Sequence, residues 1–314
     1  MLSAFGPCHT SHMPAPPIVA LVGATASGKT GLSLDLAERL GGEIVNTDAM
    51  QVYRGMDIGT AKVPPAERRG IPHHLLDLLS VREPLSVAHF QEQARDTATR
   101  LREQGRTPVL VGGSALYTRA ILDRFDFPDT DPAVRARWEA ELAAVGPAAL
   151  HARLAETDPK AAAKMEPLNG RRVVRALEVI EITGAPYSAS LPELEYADPR
   201  SVQIGLLIDR PTLDVRIEQR VGEMFEAGFV DEVRRLLDEG LAEGLTARRA
   251  IGYRDVVAHL AGDLSLDDAR QRTVFATRRF ARRQDSWFKK DPRIVWLPFD
   301  APDLADQALA ALPS

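Results

Sequence analysis

A glycine loop between a strand-like run and a helix-like run constrains this chain more than any other feature. Residues 23–30, GATASGKT, fit the pattern G-x-x-x-x-G-K-[ST] at every specified position. The apolar run at 18–22 precedes the loop, and leucines at helical spacing follow it. Strand, loop and helix N-terminus form a phosphate cradle, because backbone N–H groups and the helix dipole point at the anion. The chain is therefore predicted to bind a di- or triphosphate.

Two residues of this loop have side chains with predicted roles. Lys29 supplies a point charge for the outer phosphate, and the Thr30 hydroxyl is a ligand for Mg²⁺, the one cofactor expected. The other phosphate contacts are assigned to Gly23, Thr25, Ala26, Ser27 and Gly28.

The composition is typical of a globular protein with an ample core. The chain has 314 residues, of which 45% are hydrophobic and 26% charged. Its single cysteine excludes an internal disulfide and suits a reducing compartment. The longest apolar runs are too short to cross a bilayer, and residues 1–16 lack a signal-peptide pattern, so we expect them to be disordered. A cytoplasmic protein without a membrane span is predicted.

Basic charge is concentrated near the C-terminus. The net charge of −5 argues against a nucleic-acid partner, but residues 270–290 carry +7 and the rest of the chain −12. Phe280, Trp287 and Phe288 lie in the same stretch. The stretch is either a helix with a solvated arginine face and core aromatics, which is the commoner case, or a nucleic-acid surface whose rings stack on bases.

Strand-like and helix-like segments alternate along the chain. The strand-like segments are 18–22, 42–48, 108–113, 202–208 and a last, edge segment at 293–297. This alternation predicts an α/β fold, a P-loop doubly wound parallel sheet formed by 17–127 and 200–314. Residues 128–199 show only helix signals, such as the N-cap Asp131 before Pro132, and are predicted to form a helical insertion.

Ligands of parallel sheets bind beyond the carboxyl ends of the strands. Asp48 follows the second strand, where an acid can hold Mg²⁺ through water, accept a proton or merely cap a turn. The turn Gly112-Gly113-Ser114 either presents backbone donors to a phosphate or only connects strand to helix. The reaction class therefore depends on Asp48.

Several motifs occur in an order that is specific to one family. They are GATASGKT at 23–30, DAMQVYRGMDIGTAK at 48–62, GIPHHLLDL at 70–78, LVGGSALY at 110–117, RRVVRALEV at 171–179, RIEQRVGEM at 216–224, AIGYRD at 250–255 and TRRFARRQDSWF at 277–288. In these motifs the chain resembles the tRNA dimethylallyltransferases (tRNA isopentenyltransferases) of bacterial type, from about residue 18 to residue 296.

The resemblance implies transfer of the prenyl group of dimethylallyl diphosphate to N6 of adenosine 37 in tRNA, with release of diphosphate. It implies that Asp48 is the base, and that Lys29, Thr30 with Mg²⁺, and Arg220 stabilise the diphosphate. The helical insertion is expected to clasp the anticodon stem-loop, a task that suits a monomer.

The resemblance also assigns tRNA contacts. Ala49, Met50 and Gln51 follow Asp48 in the segment that meets the target base. The other implied contacts are Ser114, Arg135, Arg171, Arg172, Arg175, Arg249, Gly252, Tyr253, Arg254, Arg279 and Arg283. Ala49 stands where many members have serine, which puts one hydroxyl contact in doubt.

Two other functions use the same cradle. An ATP-dependent kinase of small molecules or nucleosides gives the basic stretch at 277–288 no role, and a nucleotide-switched RNA-binding module gives Asp48 none. The products distinguish the three: diphosphate, ADP or neither. His73 and His74 are interpreted as structural, Tyr53 and Tyr117 as packing residues, and Arg216 is left undecided.

Overall fold

A parallel β-sheet organises the chain in this computed structural model, which describes residues 15–125, 127–128, 130–187 and 194–313. The strands are β1 Val19–Val22, β2 Glu43–Asn46, β3 His73–His74, β4 Pro108–Val111, β5 Val202–Leu207 and β6 Ile294–Pro298. They form a six-stranded sheet in the order β3-β2-β4-β1-β5-β6, with every pair parallel. The predicted doubly wound parallel sheet is confirmed, with its last strand at an edge.

Helices connect the strands of this sheet. They are α1 Lys29–Leu40, α2 Val87–Glu103, α3 Ala115–Leu122, α4 Pro132–Val145, α5 Pro147–Thr157, α6 Pro159–Ala162, α7 Gly170–Thr183, α8 Arg210–Glu226, α9 Phe229–Asp238, α10 Tyr253–Leu260, α11 Leu266–Phe288 and α12 Leu304–Ala310, with 3₁₀ turns at Pro65–Glu67 and Ala247–Arg249. Within the described ranges, no helix combines the length and the apolar character needed to cross a membrane.

The central strand β1 is buried on both faces. None of its four residues, Val19, Ala20, Leu21 and Val22, is more than 1% exposed, as expected for a parallel strand between two helical layers. Leu21 pairs with Val111, the last residue of β4, so β1 and β4 end within one residue of each other. The glycine loop that follows β1 therefore lies beside the turn that follows β4.

The chain divides into two compact units. The first holds the sheet and comprises the residues up to Leu122 and from Asp198 onward. Of the segment predicted at 1–16, residues 1–14 lie outside the described residues.

The second unit, Asp123–Ala197, consists of α4 to α7, and the sequence placed its bounds at 128–199. Its core includes Leu150, Leu154, Val173 and Leu177. As expected, Asp131 caps α4: its carboxylate accepts hydrogen bonds from the backbone N–H groups of the first helical turn.

Candidate active site

The glycine loop after β1 wraps around the start of α1, and two of its residues have backbone conformations that favour glycine. Gly23 has φ +124° and Gly28, at the N-cap of α1, has φ +105°. Ala26 also has a positive φ, +63°, which is uncommon for a residue with a side chain. This geometry turns the loop around the N-terminus of α1, where unpaired N–H groups and the helix dipole attract an anion.

A cavity of about 460 Å³ opens over this loop at the carboxyl ends of β1, β2 and β4. Thr25, Ala26, Gly28, Lys29 and Thr30 line it from the loop. Its other lining residues come from elsewhere in the first unit, and they include Asp48, Gln51, Thr60, Ala61, His73, Gly112, Gly113, Arg216, Arg220, Phe280 and Gln284. The structure thus brings together the cradle, Asp48 and Arg220, as the sequence predicts.

Lys29 is a buried side chain that lines this cavity. Its Nζ donates hydrogen bonds to the carbonyl oxygens of Gly23, at 3.1 Å, and Ala24, at 2.6 Å. The pKa of Lys29 falls from 10.5 to about 7, because burial and, to a lesser extent, the positive charge of Arg220 lower it more than the negative charge of Asp48 raises it. The side chain is therefore poised to become a full cation when an anion enters the loop.

Two arginines of α8 reach the same loop. Arg220 Nη1 lies 3.2 Å from Thr25 Oγ1, and Arg216 Nε donates a hydrogen bond of 2.8 Å to the carbonyl of Ala26. They are four residues apart and therefore share one face of the helix. Arg216, which the sequence left undecided, thus lines the cavity beside Arg220. Together with Lys29 they form a group of basic side chains at the glycine loop, which we call the cationic wall.

Asp48 follows β2 and is partly exposed at the cavity. Its Oδ1 accepts a hydrogen bond of 2.8 Å from the backbone N–H of Met50. The side chain of Asn46 holds the backbone of Asp48, accepting from its N–H at 2.9 Å and donating to its carbonyl at 3.0 Å. Desolvation by the surrounding protein raises the pKa of the Asp48 carboxyl, against the lowering effects of the Met50 N–H and of Lys29. Asp48 is thus a positioned carboxylate of enhanced basicity.

Gln284 of α11 connects the glycine loop to the turn after β4. Its Oε1 accepts a 2.9 Å hydrogen bond from the N–H of Thr25, and its Nε2 donates one of 2.8 Å to the carbonyl of Gly113. A Cβ at Gly113 would lie 2.0 Å from Gln284 Nε2, and one at Gly112 would lie 2.2 Å from Thr47 Oγ1. Both glycines are therefore required for close packing.

The sequence left open whether the turn after β4 binds a phosphate or only connects strand to helix. The close packing gives Gly112 and Gly113 a structural reason to be glycine. Gly112 and Gly113 line the cavity, whereas Ser114 is partly buried before α3 and is not among the described lining residues. Sequence reasoning missed Gln284, although it lies in the 277–288 motif, because its partners are distant in the chain.

A second concavity, which we call the arginine groove, has a volume of about 510 Å³ and is lined by Arg248, Arg249, Arg254, Arg279 and Arg283 together with Gly252. It lies in the first unit, between the segment that precedes α10 and the exposed face of α11. Five residues for which the sequence predicts tRNA contacts meet here: Arg249, Gly252, Arg254, Arg279 and Arg283. Tyr253 does not join them, since its side chain is buried and its hydroxyl donates to Glu232 Oε1 at 2.6 Å.

The basic stretch on α11 has both a packed side and an exposed side, and nucleic-acid contact by the exposed side stays a prediction. Arg270, Arg278 and Lys289 form ion pairs with acids, and Phe288 is buried. Arg279 and Arg283 line the arginine groove, Phe280 lines the cavity, and Trp287 is 46% exposed. The helix therefore combines a packed side with an exposed basic side.

The arginines of the second unit occupy two kinds of environment. Arg135 and Arg175 form ion pairs with Glu178, whose side chain is fully buried. Arg171 and Arg172 are exposed on the first turn of α7. A structural role for Arg135 and Arg175 is therefore established by their partners, and tRNA contact by any of these four residues stays a prediction.

The histidines and tyrosines that the sequence singled out are held by hydrogen bonds and packing contacts. His74 Nε2 lies 2.6 Å from Glu43 Oε2, and His73 Nδ1 lies 2.9 Å from the carbonyl of Ile71. Tyr53 and Tyr117 are buried, and the Tyr117 ring packs edge-on against Phe90. These contacts agree with the structural roles assigned to them.

Comparisons with known proteins point to one family. Residues 51–291 match the family described as IPP transferase. A tRNA dimethylallyltransferase of Nocardioides sp. (strain ATCC BAA-499 / JS614) is 71% identical over 296 residues, covering 94% of this chain and 96% of the relative. One of Thermobifida fusca (strain YX) is 58% identical, covering 93% of each chain.

Solved structures give the same result. The full-length tRNA isopentenylpyrophosphate transferase from Bacillus halodurans is 41% identical, with a TM-score of 0.68 and coverage of 94% of this chain and 93% of that one. A eukaryotic dimethylallyltransferase described as acting on tRNA is 26% identical, with a TM-score of 0.81 and coverage of 94% and 77%.

Proposed function

The chain belongs to the IPP transferase family, and we propose that it transfers the dimethylallyl group of dimethylallyl diphosphate to N6 of adenosine 37, beside the anticodon of tRNA. It is an enzyme, a prenyltransferase. The observation that carries the proposal is a carboxylate on the same cavity as a phosphate cradle, since Asp48 lines it with Lys29 and Arg220. A phosphate cradle alone is compatible with any reaction of a phosphate or diphosphate. A base beside it indicates a reaction in which the attacking nucleophile must lose a proton.

The proposed reaction breaks a C–O bond rather than a P–O bond. N6 of adenine attacks the allylic carbon C1, the bond between C1 and the diphosphate oxygen breaks, and diphosphate leaves with the electron pair. The proton of N6 passes to the carboxylate of Asp48. The raised pKa of Asp48 strengthens it as a proton acceptor, and the contacts from Asn46 and Met50 fix its position.

The cationic wall stabilises the leaving group. Negative charge grows on the diphosphate as the C–O bond breaks, and fixed cations close to that charge lower the barrier. Lys29, Arg216 and Arg220 meet at the loop and supply that charge. Lys29 is held by two backbone carbonyls in the ligand-free protein and exchanges them for diphosphate oxygens.

We propose Mg²⁺ as the cofactor, held through Thr30. The Thr30 hydroxyl lines the cavity, and in the described part of the chain no hydrogen bond engages it. Mg²⁺ typically takes one or two protein oxygens and completes its shell with phosphate oxygens and water. A single hydroxyl beside a phosphate cradle therefore fits this ion, which when bound neutralises diphosphate charge.

The tRNA is proposed to bind through the arginine groove, whose cations match a phosphodiester backbone. The target adenosine must leave its stack to reach the cavity, which costs about a few kcal/mol. We propose that the anticodon stem-loop is the recognised element, that the second unit clasps it, and that the enzyme acts as a cytoplasmic monomer.

An ATP-dependent kinase is the alternative that the cradle alone permits. The relatives favour prenyl transfer over this reaction, since those at 71% and 58% identity are named tRNA dimethylallyltransferases. A kinase of small molecules would also leave the arginine groove without a ligand.

The experiment that tests the proposal is incubation with dimethylallyl diphosphate, Mg²⁺ and unmodified tRNA, followed by mass analysis of the nucleosides. We expect a prenyl mass gain on adenosine with an equal amount of diphosphate released. Formation of ADP from ATP with a small acceptor, and no mass gain on adenosine, would overturn it. A parallel digestion into oligonucleotides locates the modified adenosine in the anticodon loop or elsewhere.

A further inference from the structure

The side-chain amide of Gln51 is held in one orientation at the wall of the cavity. Its Nε2 lies 3.0 Å from the carbonyl oxygen of Thr60 and 3.4 Å from that of Ala61. Carbonyl oxygens only accept hydrogen bonds, so the amide nitrogen must face them. The amide oxygen Oε1 then points away from these carbonyls, and Gln51 is one of the residues that line the cavity.

The two carbonyls that hold Gln51 are themselves fixed within their loop. Ala61 adopts φ +52°, a left-handed conformation that costs about 1 kcal/mol or more for a residue with a side chain. Backbone hydrogen bonds from Ala61 to Ile58, at 3.0 Å, and from Lys62 to Asp57, at 2.9 Å, maintain this turn. The strained backbone directs the carbonyls at the glutamine.

Two buried charges hold the loop from outside. The Glu232 carboxylate accepts hydrogen bonds from three successive backbone N–H groups, those of residues 57 to 59, at 2.7–3.1 Å. Lys62 Nζ donates to Asp57 and Asp77, at 2.6 Å each, and to the carbonyl of Tyr53 at 2.9 Å. Reversing the Gln51 amide would therefore place its Oε1 against the carbonyl oxygens of Thr60 and Ala61, and the loop that carries these carbonyls is held too firmly to move away.

The cavity consequently presents two acceptors, the carboxylate of Asp48 and the amide oxygen of Gln51, from one short segment. Asp48 and Gln51 both line the cavity, and Asp48 Oδ1 also accepts the N–H of Met50. An exocyclic amino group carries two N–H donors, and a keto oxygen at the same place carries none.

We infer that Gln51 is a specificity-determining residue for a 6-aminopurine: it accepts one N–H of the exocyclic amine while Asp48 accepts the other. The inference rests on the proposed function. Asp48 takes the proton that is lost, and Gln51 holds the one that stays, so the amine is oriented with its lone pair toward the allylic carbon. A 6-oxopurine such as guanine or hypoxanthine would set its oxygen against both acceptors. A site with buried polar groups rejects such a base strongly, because its acceptors remain unpaired.

The test measures binding of anticodon stem-loops that carry adenosine or unsubstituted purine at position 37, with inorganic diphosphate and Mg²⁺ present so that no transfer occurs. Gln51→Met keeps the length of the side chain and removes its acceptor. Gln104→Met, at an exposed glutamine after α2, is the matched control.

We expect the wild-type enzyme to bind the adenosine loop about tenfold or more tightly than the purine loop, the effect of one or two hydrogen bonds. Gln51→Met should reduce that ratio about fivefold by weakening the adenosine loop alone, and Gln104→Met should not change it. Equal weakening of both loops by Gln51→Met would assign the glutamine a purely structural role and overturn the inference.

Transfer from dimethylallyl diphosphate by the wild-type enzyme to the adenosine loop is measured in parallel. Transfer together with an unchanged binding ratio in Gln51→Met overturns this inference and leaves the proposed function in place. Absence of transfer by the wild-type enzyme overturns the proposed function, and this inference with it.

Discussion

The cavity and the arginine groove are both lined by basic side chains, but the basic side chains of the cavity bond to the protein whereas those of the groove face solvent. In the cavity, Lys29, Arg216 and Arg220 donate to atoms of the glycine loop, and burial moves the pKa of Lys29 to about 7. In the groove, Arg249, Arg254, Arg279 and Arg283 are exposed, and within the described ranges none of them pairs with an acid.

Under the proposed function, the two regions have different tasks. Stabilising charge that develops in a reaction needs cations that are already placed and dehydrated, because they then do not reorganise during the reaction. Holding a long polyanion needs several accessible cations whose counterions are released on binding. On the proposed function, the cations held against the glycine loop serve the chemistry and the solvated arginines of the groove serve recognition, and substitutions should separate the two effects.

The largest expected effect is on the proton acceptor. Asp48→Asn keeps the size of the side chain and removes its basicity, so kcat should fall about 10²- to 10⁴-fold while affinity for the tRNA stem-loop stays within about twofold. Single-turnover kinetics and stem-loop titration measure the two quantities. Asp263→Asn, an exposed carboxyl distant in sequence, serves as the control. A kcat near the wild-type value in Asp48→Asn would remove this carboxylate from the mechanism.

The next effect concerns the buried cation of the cradle. Lys29→Met should weaken binding of inorganic diphosphate about 10²-fold, because a charge-assisted contact is lost in a site of low dielectric. Calorimetric titration with diphosphate measures this, and stem-loop affinity in the absence of diphosphate should be unchanged. A loss of stem-loop affinity as large as that of diphosphate would show that the two regions are not separable.

The pKa of Lys29 makes diphosphate binding depend on pH. Below about pH 7 the ligand-free protein already carries the ammonium form, and above it the anion must recruit a proton. Affinity should therefore fall by up to about tenfold per pH unit above that value, until the pKa of Lys29 in the complex is reached. The measurement compares wild type with Lys29→Met from pH 6 to 9. Diphosphate itself titrates in this range, and the pH dependence that remains in Lys29→Met is the contribution of diphosphate alone.

The smallest effects are expected in the arginine groove. Arg254→Ala and Arg279→Ala should each reduce the slope of log affinity against log salt by about one, with kcat at saturating tRNA unchanged. Arg39→Ala, at the end of α1, should leave the slope as it is. An unaltered slope in both groove variants would place the phosphodiester backbone elsewhere on the protein.

Sequence reasoning succeeded where the signal is local. The glycine loop, the strand before it and Lys29 lie within a dozen residues, and their placement around the start of α1 follows from the order in which they occur. Asp48 was located by the rule that ligands bind beyond the carboxyl ends of parallel strands. The order of family motifs then fixed which chemistry such a site performs.

Reasoning from the sequence failed where a role depends on a distant partner. Gln284 bonds to Thr25 and Gly113, which are 259 and 171 positions away, and no local pattern relates them. The ion pair of Arg135 with the buried Glu178 likewise joins residues that no local pattern relates. A sequence shows where charges occur and not which of them are already satisfied by a partner.

The hold of Glu232 on residues 57–59 also has a consequence for the motions of the chain. Segments without regular secondary structure usually exchange their amide hydrogens with solvent quickly, because their N–H groups open without disturbing the rest of the fold. Here three successive amides donate to a carboxylate that is 5% exposed and that also accepts from the hydroxyl of Tyr253. These amides can be released only by separating the segment from α9, so their deuterium uptake should be as slow as that of the central strands.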